Sequence, residues 1–347
     1  MIGLRRIRPA AIAMSCIATA IASVCFTSTP ASAAPACAGA DRVYCEAKPD
    51  SLVTVKLSQL HPTQPSLGYD EVYARLGRYS FGPNAAELKF GAWCETNGQR
   101  GVKSFSASSR ISDPSSFTCE VPLGKETADD TDEMKTVVIG PGGKLYLTDG
   151  HHTLTSFWET AGGGPNTSIR LRVAGNLSTK SPADFWKTMR AEKWTWLRNT
   201  AGAPIQPAQL PKSLGLSSFA NDKYRAALYF LDDVSFSSPA GTPPFQEFYW
   251  GQWLRGKSDP KVNPARYDLR TAGSYQSLLR SIANTMIAAP ADTVIGNGYT
   301  ATDLGKRDSF DESEFAGLTR PLTDKKPGKL TAALAYKNTL ALLPQAG

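Results

Sequence analysis

Leu147-Thr148-Asp149-Gly150-His151-His152-Thr153-Leu154 carries two of the three histidines in this 347-residue chain. Imidazole chemistry near neutral pH therefore has one main address. Upstream, Thr136–Thr148 reads as two short strands, Thr-Val-Val-Ile and Lys-Leu-Tyr-Leu-Thr, folded about Pro141-Gly142-Gly143. Downstream, Leu154, Phe157 and Trp158 recur at three- and four-residue steps. That spacing predicts an amphipathic helix from about His151 to Thr160, stopped by Gly162-Gly163-Gly164. Asp149-Gly150 thus falls where a helix begins, and the first amides of a helix are unpaired donors directed at an anion. A phosphate or carboxylate fits there, flanked by His151 and His152, with Asp149 placed to orient an imidazole or bind a cation. The same letters also suit plain turn chemistry, in which Asp149 is an N-cap and one histidine is buried and hydrogen-bonded. Zinc is the weaker reading: adjacent histidines diverge on a helix, His61 lies far off, and no Cys/His ligand spacing is present.

The compartment is read from the first residues. Arg5, Arg6 and Arg8 precede an apolar run from about Ala10 to Phe26, and Pro30-Ala31-Ser32-Ala33 supplies small residues at a cleavage point. This pattern predicts a signal peptide over 1–33 and a secreted or periplasmic chain with no membrane span after cleavage. Cys16 and Cys25 would leave with it. Cys37, Cys45, Cys94 and Cys119 remain, an even number in an oxidising compartment, and two disulfides follow. Of the three possible connectivities, Cys37–Cys45 with Cys94–Cys119 closes local loops. The formal charge of +7 falls to +4 without the leader arginines, which is no footprint for nucleic acid.

Along the chain, Leu52, Val53 and Val55 read as a short strand, and Tyr69–Leu76 as a helix ending near Gly77. Residues 78–135 read as loop-rich. Ile169, Leu171 and Val173 alternate with Arg170 and Arg172, which predicts a half-buried strand over Ser168–Ala174. Pro182–Arg198 interleaves aromatic and basic residues, a pattern that clamps single-stranded nucleic acid or forms an amphipathic helix with its large side chains in the core. The helical spacing of Trp186, Met189 and Arg190 favours the core. Helices are expected over Asn221–Asp232, Pro244–Leu254, Ser274–Ala289 and Lys329–Leu343.

Three ordered stretches carry a family resemblance. They are Val55-Lys56-Leu57-Ser58-Gln59-Leu60-His61-Pro62-Thr63-Gln64 with Gly68-Tyr69-Asp70-Glu71-Val72, then Asp149-Gly150-His151-His152, then Phe245-Gln246-Glu247-Phe248-Tyr249-Trp250. Together they resemble the putative ParB-like nuclease family, a branch of the ParB/sulfiredoxin superfamily, over roughly Leu52 to Leu254. The resemblance implies an α+β fold with a mixed sheet and helices; the final ninety or so residues lie outside it and read from their spacing as a mostly helical C-terminal extension. The expected domain plan is a disulfide-containing segment 34–50, a ParB-like α+β domain 51–200 with its helical part 201–258, and the extension 259–347. The resemblance also implies a phosphate-binding cleft faced by the Pro-Thr-Gln loop and the Asp-Gly-His-His turn. The site carried over would use Glu71, Asp149, His151 and His152 for catalysis, and Thr63, Gln64, Gly150 and Thr153 against substrate. Glu71 would act as general base or help hold a divalent cation, Mg²⁺ or Mn²⁺; the bland alternative is a solvated carboxylate near a helix start. Many relatives have an arginine where this chain has Thr153, so the phosphate charge would have to be met by Arg75, Arg78, Lys89 or another base. A sulfinic acid reductase is set aside, since no cysteine stands beside the histidines. Three readings stay open: an exported nuclease or phosphoesterase acting on a phosphate-bearing small molecule or nucleic acid, a non-catalytic secreted binding module, and a nucleotide-dependent amino-acid kinase.

Overall fold

Strict alternation of burial along Ser168–Asn176 turns Ile169, Leu171 and Val173 inward and Arg170 and Arg172 outward, as a strand with one covered face requires. The computed structural model describes residues 37, 41–239 and 241–342, so the expected leader and its two cysteines lie outside the described residues. Five strands, β1 (Leu52–Lys56), β2 (Leu60–Pro62), β3 (Thr136–Ile139), β4 (Leu145–Leu147) and β5 (Ser168–Asn176), form one sheet in the order β1-β5-β3-β4-β2. The pairings are mixed: β1/β5 and β3/β4 are antiparallel, β3/β5 and β2/β4 parallel. Lys56 and Leu60 belong to opposite edges, yet only Leu57–Gln59 separates them. A flat sheet would hold its edges about 19 Å apart, whereas four residue steps reach at most about 14 Å. The sheet must therefore curl.

The concave side is filled by helices. Val55, Val137, Leu147 and Leu171 pack with Val72 and Leu76 of α1 (Tyr69–Ser80), Phe90 and Trp93 of α2 (Ala85–Thr96), and Leu154 and Phe157 of α3 (His151–Glu159). On the other face, Val138 meets Phe185 and Met189 of α4 (Pro182–Ala191). A second core joins α5 (Lys223–Leu231), α6 (Gln246–Arg255), α7 (Ala272–Ile287) and α8 (Lys329–Leu342), with Phe230, Trp250, Leu279 and Leu330 fully buried. The molecule is thus a mixed α+β structure with a mixed sheet and several helices. Cys37 pairs with Cys45 and Cys94 with Cys119, at S–S distances of 1.98 and 1.95 Å. Among the described residues no helix is long and apolar enough to cross a membrane.

Two expectations change. Residues 78–135 are not a long loop: α2 runs for twelve residues there, because Phe90, Trp93 and Cys94 recur at helical spacing and bury one face. Nor does α1 stop at Gly77. A Cβ at that position would lie 2.0 Å from the Ala332 carbonyl oxygen, so the glycine marks the close approach of α8 rather than a helix end.

Candidate functional site

The β3–β4 hairpin delivers Asp149 and Gly150 to the start of α3, where Gly150 takes φ 95° and turns the chain into the helix. Asp149 does not cap α3. Its Oδ1 accepts from the Gly150 amide at 2.7 Å and its Oδ2 from Lys135 Nζ at 3.0 Å. Both histidines point back at the loop between β2 and α1. His151 Nε2 accepts the Thr63 amide at 3.1 Å, and His152 Nε2 accepts the Gly68 amide at 3.0 Å. Since Nε2 is the acceptor in each, both rings are neutral with the proton on Nδ1. Burial agrees: it pushes the His151 pKa down to about 4 despite nearby Asp149, and drives His152 well below its ordinary value despite Glu71. The loop is pinned elsewhere too, as Thr63 Oγ1 donates to the Leu147 carbonyl and the Thr63 carbonyl accepts from Thr195 Oγ1 and the Trp196 amide.

In the first turn of α1 sits Glu71, buried and therefore no solvated carboxylate. Its Oε2 lies 3.7 Å from His152 Nε2 and 3.0 Å from Arg225 Nη1, and its Oε1 accepts from Arg75 Nη2 at 3.0 Å. Arg225, on α5, reaches Glu247 of α6 with its Nη2 at 3.0 Å. Burial would raise the Glu71 pKa, but His152, Arg225 and Arg75 outweigh it and hold the carboxyl well below the usual range. Because His152 is neutral, the lasting counter-charge is the guanidinium pair. Arg225 and Glu71 are close as ions yet off hydrogen-bond geometry: Arg225 Nε and Nη1, Arg75 Nε and Glu71 Oε2 are all buried without a hydrogen-bond partner. Orphaned guanidinium donors of this kind are costly unless a ligand or water meets them.

These groups line one cavity of about 650 Å³, which takes in Gln64, Glu71, Asp149, Gly150, His151, His152 and Thr153 together. Thr63 stands behind it as a positioning residue, and Gln64 Nε2 is spent on the Ser66 carbonyl at 2.9 Å. His61 is not at the cavity; it packs on Tyr146 with ring centroids 5.4 Å apart. Of the bases that might replace the missing arginine, Arg75 lines the cavity, whereas Arg78 donates to the Pro327 carbonyl and Lys89 to that of Ala161. Sequence reading missed Arg225 and Glu247 as site residues. Arg225 is a charged residue opening the apolar run Ala226-Ala227-Leu228, and a buried charge on such a helix needs a partner, which is the signal that could have found it. A preformed divalent-cation site does not fit. Among the described residues no three His, Cys, Asp or Glu side chains group to hold a metal, and the Glu71 oxygens face guanidiniums.

The family described as "Putative ParB-like nuclease" matches residues 53–256, which includes every residue lining this cavity. No curated protein matches the chain. Among solved structures, the crystal structure of protein Atu1540 from Agrobacterium tumefaciens is similar over 69% of this chain and 93% of that one, with 16% identity and a TM-score of 0.44. With well over half of its length matched, and with the Pro-Thr-Gln loop and the Asp-Gly-His-His turn joined through two imidazoles, the chain belongs to the putative ParB-like nuclease family.

Proposed function

We propose that the chain is an exported phosphoesterase on a ParB/sulfiredoxin-like scaffold, and that its cavity binds a phosphoester at Arg225, Arg75 and the first amides of α3. The observation that carries this reading is the set of buried guanidinium nitrogens, Arg225 Nε and Nη1 and Arg75 Nε, that have no hydrogen-bond partner although both arginines are ion-paired to Glu71, beside the open start of a helix. The attraction is local rather than a bulk field, since the lining holds five Lys and Arg against four Asp and Glu. In hydrolysis, water adds to phosphorus, the phosphorus–oxygen bond to the leaving group breaks, and the guanidiniums stabilise the charge that builds on the equatorial oxygens. Glu71 is the carboxylate placed to orient the water and take its proton, which passes on to the leaving oxygen. Two disulfides suit an oxidising compartment.

A second reading, a secreted phosphate-binding module without turnover, draws on a specific observation: both imidazole Nε2 atoms are committed to backbone amides, and the Glu71 carboxyl is too acidic to be a strong base. A phosphodiester reporter assay on the mature, oxidised chain separates the two. Turnover is expected, and Arg225→Lys, which keeps the charge but loses the forked geometry, should lower kcat/KM about 10- to 100-fold. Saturable phosphate binding without turnover would establish the module instead. Neither turnover nor binding would sink both.

A further inference from the structure

Four carboxyls line the cavity, and three of them are ion-paired: Glu71 with Arg75 and Arg225, Glu247 with Arg225, and Asp149 with Lys135. The fourth, Asp232, has no ion pair among the described residues. It stands at the C-cap of α5, so Arg225, Tyr229 and Asp232 fall at i, i+4 and i+7 and form one stripe along the cavity wall. Two turns of helix, about 10 Å, carry the wall from the guanidinium to this unpaired carboxyl.

The surroundings of Asp232 keep a proton on it. A helix C-terminus carries partial negative charge, which disfavours a carboxylate there. Burial raises the Asp232 pKa, Asp233 and Glu247 of α6 add like charge, and Lys329 of α8 does not cancel the rise. The hydrogen bonds point the same way. Gln246 Nε2 donates both of its hydrogens, to the Ser237 and Leu304 carbonyls at 2.8 and 3.0 Å, which turns Oε1 towards Ser238. The single Ser238 hydrogen goes to that oxygen, at 2.6 Å. Ser238 Oγ is then left to accept from Asp232 Oδ1, 3.4 Å away, and the hydrogen in that contact belongs to the carboxyl.

We propose that Asp232 is the general acid of this cavity, giving its proton to the leaving oxygen of a phosphoester held at Arg225 and Arg75. The assignment rests on the reading of the cavity as a phosphoester site and divides the proton transfer between two carboxyls. Water adds to phosphorus and yields its proton to Glu71. The bond from phosphorus to the leaving oxygen breaks, and that oxygen takes the Asp232 proton and departs as an alcohol. Glu71 then returns its proton to Asp232 through the solvent, which restores both groups. One carboxyl held well below the ordinary range and another above it is the separation that such a division needs. An alkoxide cannot leave readily without this proton, whereas a nitrophenolate can, so a site with this acid suits esters of aliphatic alcohols.

Hydrolysis of methyl phosphodiesters with p-nitrophenyl, phenyl and benzyl leaving groups, by the mature oxidised chain across a pH series, tests this. Asp232→Asn, whose amide can still donate to Ser238 and so preserves the local fold, should lower kcat/KM for the benzyl ester about 100- to 10,000-fold. Its loss on the p-nitrophenyl ester should be smaller by at least about tenfold. For the benzyl ester the parent rate should fall on the alkaline side as Asp232 loses its proton, and that limb should be absent from the variant. Asp232→Glu, which keeps an acid, should recover the limb and part of the rate. Equal losses on all three esters, or an alkaline limb that survives in Asp232→Asn, overturn the assignment while the phosphoesterase reading stands. A parent that cleaves only the p-nitrophenyl ester does the same. A parent that hydrolyses none of the three sinks the phosphoesterase reading, and this assignment with it.

Discussion

His151 and His152 enter the fold as hydrogen-bond acceptors, each bracing one end of the loop that leads from Thr63 to Gly68. A ring used in this way must stay neutral, and that has a pH consequence. The folded His151 pKa of about 4 lies below its ordinary 6.5, so the unfolded chain binds the extra proton first. Stability is therefore complete above about pH 6.5, falls as the pH drops towards 4, and changes no further through this group below that. A shift of this size is worth about 3 kcal/mol, and His152 is displaced in the same direction. Urea unfolding followed between pH 7 and 4 should show the loss, and His151→Gln should reduce its steepness while the His152 contribution remains. A parent chain with a level profile across that range would show that these imidazoles are not held neutral. Glu71 adds to the loss once the pH falls to about 4.5, where the carboxyl of the unfolded chain takes up its proton, and goes on adding below that because its folded pKa sits well below the usual carboxylate range.

Helix α1 shows how one element serves three tasks through helical periodicity alone. Glu71 and Arg75, four residues apart, face the cavity; Val72 and Leu76 enter the sheet core; Ala74 and Gly77 turn to the helical core and α8. The buried Asp70 ties the same helix to the C-terminal region, accepting from Tyr275 Oη at 2.8 Å and pairing with Lys337 at 2.9 Å. Gly77→Ala pits two effects against each other. Helix propensity favours alanine by about 1 kcal/mol, but a Cβ 2.0 Å from the Ala332 oxygen forces α1 and α8 apart. Overpacking of this kind costs about 1–3 kcal/mol or more. Net destabilisation in thermal unfolding is expected; an unchanged or raised Tm would mean that α8 is not held against α1 as described.

At the scale of the whole molecule, the proposed export makes a direct prediction. Intact mass of the secreted protein should begin at Ala34 and show no thiol open to alkylation, because Cys37, Cys45, Cys94 and Cys119 are paired. Retention of residues 1–33 or labelling of any of the four would overturn it. What the sequence determined by itself was local: the hairpin over Thr136–Thr148, the helix from His151 and the strand at Ser168, each fixed by periodicity or turn chemistry within a few residues; the four cysteines left three pairings open, and the fold selected Cys37–Cys45 and Cys94–Cys119. The family was legible as well, since its motifs are short and ordered. Tertiary structure decided the rest. Arg225 meets Glu71 across more than a hundred and fifty residues, and Gly77 reads as a helix stop until α8 is seen against it. Burial, ionisation and close approach depend on neighbours brought together by folding, and no local pattern encodes which distant side chain will balance a buried charge.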